Sequence, residues 1–139
     1  MNGVEYVLTM NSDQAHTALK AIELLMRLKI NQPEEITRAV MPYDYYDEMT
    51  GSVDSKRFDE HIHRRDAADG YVKMAFRQIF QTWEDVRKDD EWYRLYNLYQ
   101  AIRYQIHLAE HPGSTGVDSR PPMQFTDEPM PKCEYRSET

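Results

Sequence analysis

The segment YQAIRYQIHLAEHPG, Tyr99 to Gly113, sets His107, Glu110 and His111 in the order H-x-x-E-H. That is the ligand spacing of the inverted zinc peptidases. On a helix the two imidazoles lie one turn apart on one face, and Glu110 would be the base that activates a bound water. Three features weigh against it. A third ligand must come from a second element, and nothing downstream has a helical period. His111 immediately precedes Pro112, which pushes its backbone out of the α region. A chain this short leaves little room for a protease cleft. The plainer reading is a helix end whose histidines complement the negative pole of the dipole. His61 and His63 in EHIHRRD stand at i and i+2 and point apart on a helix, although in a strand they would share a metal. The local pattern is helical. The 5 glycines are scattered and form no phosphate loop. Cys133 lies in a Pro-rich segment that would hold a nucleophile badly, so it reads as an inert thiol. No catalytic group, metal or cofactor is therefore expected.

The stronger signal is charge on faces that should be apolar. Between Ser55 and Lys88 the residues Phe58, Ile62, Val72, Phe76, Ile79, Phe80, Trp83 and Val86 share one helical face. Arg65 and Asp69 fall inside that stripe, one turn apart. From Asp90 onward Trp92, Leu95, Tyr96, Tyr99, Ile102, Ile106 and Ala109 form a second stripe. Arg103 sits within it, and Glu110 lies two turns along. A buried charge costs several kcal/mol unless it is paired. Two readings stay open: these four charges pair internally, or they line a pocket whose ligand supplies the counter-charge. The second implies a small anionic, nucleotide-like molecule, because arginine forks grip phosphate or carboxylate and tyrosine rings stack on a base.

The elements that position these residues can be read along the chain. Val4–Leu8 alternates weakly and suggests a short strand or extended arm. Asn11 or Ser12 caps a first helix over residues 13–29. Ala15, Ala18, Leu19, Ile22, Leu25 and Met26 share one face of it, with Leu24 and Leu28 opposite. A helix apolar on two faces is either sandwiched in a core or covered by a second chain. Asn31 is a candidate cap for a short helix that has Pro33 in its first turn. Met41–Ser55 is a tyrosine-rich acidic loop, read as a mobile loop, a lid or a protein-binding loop. Gly70 is a point where the third helix can bend or break. Pro112 and Gly113 close the last helix. The segment beyond is extended and Pro-rich, with Met123, Phe125 and Met130 as apolar anchors.

Composition narrows the class. With 139 residues, 40% hydrophobic and 29% charged, the chain is sized for one domain with one core. The formal net charge of -7 disfavours a nucleic acid polymer as partner. One cysteine excludes an intrachain disulfide, no apolar run spans a membrane, and the N-terminal residues lack signal-peptide character, so a cytoplasmic address is expected.

Three segments resemble a family of small proteins encoded in bacteriophage and prophage genomes. ALKAIELLMRLKINQPEEI is similar to the family's first helix ending in Arg-Ile, followed by a Gly-Gln turn and a Glu-Glu-Ile helix start. Arg27, Gln32, Glu34, Glu35 and Ile36 match, while Asn31 replaces the usual glycine and Pro33 a common aromatic. Ile102, Arg103 and Tyr104 match an Ile-Arg-Tyr helix. Glu128, Pro129, Pro131 and Lys132 match a Glu-Pro-Leu-Pro-Lys ending. The resemblance covers roughly a third of the chain. It implies a phage accessory protein acting in the bacterial host cytoplasm against host defence, by binding either a signalling nucleotide or a defence protein.

The resulting expectation is a mainly α protein: a helical domain over 1–112 with a short N-terminal strand, then an extended Pro-rich tail over 113–139. A homo-oligomer is expected. The leading function is non-enzymatic sequestration of a small anionic ligand. Arg65, Asp69, Tyr99, Arg103 and Tyr104 would contact the ligand, and Arg27, Gln32 and Glu35 would shape the site or an oligomer contact. The alternative is a module that blocks a host defence protein through Tyr43, Tyr45 and Tyr46, and a small metal-dependent hydrolase ranks third.

Overall fold

A computed structural model of the chain describes residues 3–137. It is mainly helical: α1 spans Ser12–Lys29, α2 Glu35–Val40, α3 Ser55–Ile79 and α4 Asp90–Glu110, with short 3-10 turns at Trp83–Asp85 and Val117–Ser119. The expected N-terminal strand does not form. Val4–Leu8 has no strand pairing, and Val7 is 94% exposed. A strand needs a neighbour to complete its backbone ladder, and no described segment supplies one. Among the described residues no helix is long and apolar enough to cross a membrane.

The chain divides into two compact units. The first comprises the residues up to Glu23 and those from Asp89 onward, and the second comprises Leu24–Lys88. In the first unit α1 starts at a capping box. The Asn11 side chain accepts from the Gln14 backbone N–H at 2.8 Å, and the Gln14 side chain accepts from the Asn11 N–H at 3.0 Å. α4 starts at a single N-cap bond, with the Asp89 carboxylate accepting from the Trp92 N–H at 2.8 Å. It ends at His111, the residue before Pro112. Trp92, Ala101 and Ile102 are its buried apolar side chains.

In the second unit Asn31 corrects one expectation: it ends α1 and does not cap α2. Its φ is 60°, the left-handed conformation. The Gln32 N–H reaches the Arg27 carbonyl at 2.9 Å, and the Asn31 N–H reaches the Leu28 carbonyl at 3.2 Å. This is a Schellman closure, in which only glycine or asparagine is comfortable at the left-handed position. Thr37 ties α2 to α3 by donating to the Asp69 carboxylate.

α3 also departs from expectation. It runs through Gly70 without interruption and stops at Ile79, nine residues before Lys88. The stop has a local cause. The Asp85 carboxylate accepts from the Thr82 N–H at 3.0 Å, which begins a separate turn at Trp83. The expected apolar stripe is only partly covered: Ile79 is 61% and Trp83 86% exposed, whereas His61 is buried.

The Met41–Ser55 loop is a closed hairpin. Tyr46 and Val53 form an antiparallel bridge. The Asp47 carboxylate accepts from the Met49 and Thr50 N–H groups at 2.8 and 3.1 Å. Gly51, at φ 69°, makes the reversal. The Tyr45 ring packs on His61 at 4.8 Å and on Phe58 at 5.1 Å, which fastens the hairpin to the first half of α3.

Candidate functional site

Four polar side chains of α4 are buried: Asn97, Gln100, Arg103 and His107, each 3–7% exposed. Their spacing of three, three and four residues places them along one flank of the helix, beside the apolar stripe. Each faces the tail. Gln100 donates to the Met123 carbonyl at 3.0 Å and accepts from the Met123 N–H at 3.1 Å. Asn97 donates to the Thr126 hydroxyl at 3.1 Å and accepts from the Phe125 N–H at 3.3 Å. The two amides thus act as a substitute strand edge for the tail backbone. His107 Nδ1 meets the Ser114 hydroxyl at 3.0 Å, and that hydroxyl also donates to the His111 carbonyl.

Arg103 is the exception. It is 7% exposed, and its Nε has no hydrogen-bond partner among the described residues. The nearest carboxylate, Asp118 Oδ1, stands 4.0 Å away, and Asp118 is 70% exposed. The guanidinium lies over the Tyr99 ring, 5.3 Å from its centre. Burial pushes the Tyr99 hydroxyl above its ordinary pKa; Glu23 adds to the shift and Arg103 opposes it. Tyr104 stacks on His107 with ring centres 6.3 Å apart. The buried Nε is left without an acceptor and requires explanation, because Asp118 and the Tyr99 side chain offset only part of the guanidinium's desolvation.

The apolar anchors of the tail contribute less than expected. Phe125 stacks near Tyr93 and Tyr96, at 6.1 and 5.2 Å, yet is 45% exposed, and Met123 is 64% exposed. The buried amides do the holding, reinforced by Arg94 donating to Glu128 at 2.7 Å. Sequence reasoning passed over Asn97 and Gln100. The available signal was two uncharged amides three residues apart beside an apolar stripe.

The remaining expected site residues behave as follows. Tyr99, Arg103 and Tyr104 belong to the first unit; Arg27, Gln32, Glu35, Arg65 and Asp69 belong to the second. Arg65 approaches Asp66 at 3.6 Å, while Asp69 accepts from Thr37, so those two do not form the pair their spacing allowed. Arg27 donates to the Gln32 side chain at 3.0 Å across the end of α1. Glu35 takes a salt bridge from Arg38 at 3.0 Å.

The H-x-x-E-H residues have separate duties. His107 holds Ser114. Glu110 accepts from the Ser12 hydroxyl at 3.0 Å and pairs with His16 at 3.1 Å. The His16 hydrogen bond, with help from Ser12, holds the Glu110 carboxyl below its ordinary pKa. His111 closes the helix. Among the described residues no three His, Cys, Asp or Glu side chains gather as a metal-binding group. Burial pushes the Cys133 thiol up, away from the thiolate form.

In the second unit Asp44 accepts from Arg64 at 3.1 Å, the main cause of its lowered pKa, and stands 3.5 Å from the buried His61 Nδ1. Tyr43, 67% exposed, stacks on His61 at 6.2 Å. No family model matches the chain, and no curated protein or solved structure matches it either.

Proposed function

We propose that the protein is a non-enzymatic binding protein that sequesters a small anionic ligand, of nucleotide type, with Arg103 as its anion contact. One observation carries this reading. Of the four buried polar side chains on α4, Arg103 alone has a donor left without an acceptor, and its nearest counter-ion is hydrated and beyond hydrogen-bond distance. A phosphate or carboxylate would supply both charge and acceptor. Tyr99 supplies a ring face beside it, and Tyr104, stacked on His107, is a further ligand contact in this reading. Arg65 and Asp69 lie in the second unit and keep Asp66 and Thr37 as their partners, so the reading rests on the residues of the first unit. Arg27, Gln32 and Glu35 shape the end of α1 and the start of α2.

The resemblance to phage accessory proteins supplies the setting: a product acting in the host cytoplasm that removes a nucleotide-type immune signal. Exposed apolar side chains on and after α3, namely Tyr71, Met74, Ile79 and Trp83, support assembly into a homo-oligomer. The test is a thermal-shift screen with cyclic nucleotides and ADP-ribose, followed by recovery of the ligand. The expected result is a raised Tm and a ligand returned unchanged. No shift across the panel for an intact, folded protein would overturn the reading.

A second reading has its own observation. The hairpin presents Tyr43, Tyr46 and Met49 at 67%, 47% and 96% exposure from a fixed scaffold, as a surface that blocks a host defence protein would. Replacing Tyr43 and Tyr46 with Ala should then abolish capture of a host partner and leave nucleotide shifts unchanged.

A further inference from the structure

The tail segment carrying Asp118 is hydrogen-bonded to α4 at its two ends, and between them the Val117–Ser119 turn rests against α4 by packing, with no hydrogen bond to the helix among the described residues. Ser114 is fixed by His107 and the His111 carbonyl, and Met123 by Gln100. Between these anchors the hydrogen bonds of residues 115–122 stay within the turn: Ser119 to the Gly116 carbonyl and Arg120 to the Val117 carbonyl, among the described residues. Gly116 enters the turn at φ 113°, a conformation side-chain-bearing residues avoid. A Cβ added there would meet nothing within 4 Å, so glycine serves the backbone angle at this position and not a close approach.

This bridge sets one anion over the one buried cation of α4 that lacks an acceptor. Asp118 is attracted to Arg103 across 4.0 Å but makes no hydrogen bond, and it keeps most of its hydration. It therefore neutralises part of the guanidinium's field without satisfying its donor. An incoming phosphate or carboxylate that reaches bonding distance does both, and Asp118 repels it until the turn moves.

We infer that Asp118 is a built-in competitor for the anion bound at Arg103, and that the Val117–Ser119 turn swings aside when that anion enters. The inference rests on the anion-binding reading of Arg103 and adds the residue that sets its affinity. Apparent affinity is the intrinsic affinity reduced by the fraction of molecules in the open state. A hydrated ion pair of this kind shifts that fraction by up to about fivefold.

The experiment is calorimetric titration with ADP-ribose, and separately with inorganic pyrophosphate, on the full chain and three variants. Asp118→Asn should bind either probe about three- to fivefold more tightly than wild type. Asp127→Asn removes the same charge from another tail position and should stay within about twofold, which separates a placed competitor from a general charge effect. Arg103→Gln, with its Tm checked, should lose binding. In parallel, saturating ADP-ribose should speed amide exchange at Ser119 and Arg120. Equal affinities for wild type and Asp118→Asn, or an equal gain from Asp127→Asn, would overturn the competitor while the Arg103 site stands if Arg103→Gln still fails to bind. Absence of binding by both probes to wild type and to Asp118→Asn would overturn the Arg103 reading itself, and the competitor with it.

Discussion

Gln100→Ala tests how the tail is held. Gln100 is 3% exposed and makes two reciprocal hydrogen bonds with the Met123 backbone. A net contribution of about 1 kcal/mol for each bond gives roughly 2 kcal/mol. Loss of the buried side-chain methylenes adds about 0.8 kcal/mol for each one uncovered. Water re-solvates the freed Met123 groups, which offsets some of this, so the expected loss is about 2–3 kcal/mol. That corresponds to a fall of roughly 30- to 150-fold in protection of the Met123 and Phe125 amides. Hydrogen exchange read residue by residue is the assay, because it isolates the tail from global unfolding. Gln100→Glu is the sharper companion: it can still accept from the Met123 N–H but sets a carboxylate against the Met123 carbonyl, so it should cost at least as much at neutral pH. If Gln100→Ala left tail exchange within about twofold of wild type, the claim that buried amides fasten the tail would be wrong.

The remaining expectations concern local devices. The Glu110 carboxyl is held below its ordinary value of 4.5 by His16 and Ser12, so its stabilising contribution is present above that value and lost as pH falls through the lowered one. Glu110→Gln should therefore flatten the acid limb of a Tm-against-pH curve; an unchanged limb would contradict the assignment. Asn31→Gly should leave thermal stability unchanged or slightly raised, while Asn31→Val should cost about 1–2 kcal/mol, because φ 60° is strained for a branched side chain. Equal melts for the two variants would count against the left-handed closure. Thr37 is 5% exposed and donates to Asp69, so Thr37→Val should cost about 1–3 kcal/mol by leaving that carboxylate without its donor. Urea denaturation reads this directly, and a neutral result would refute the contribution.

Helices, their starts and most of their ends could be read from neighbouring residues alone. Asn11 with Gln14, Asp89 before Trp92, and Pro112 after His111 act within one turn of the chain, so local chemistry suffices. The length of α3 could not be read so surely, since an apolar period continued past Ile79 while Thr82 and Asp85 started a competing turn. Asn31 was identified as a helix signal, but its φ, which decides between starting one helix and ending another, comes from the chain's path.

The polarity of α4 marks the deeper division. Sequence alone determined that Arg103 would lie on a helix among aromatic side chains, and that its charge there needed an answer. Only the tertiary structure decided the answers along that flank: Met123 for Gln100, Phe125 and Thr126 for Asn97, Ser114 for His107, and an incomplete one, Asp118, for Arg103. The partner of a buried polar group is set by which distant segment folds onto it. Periodicity finds the face of a helix but carries no information about what will cover it.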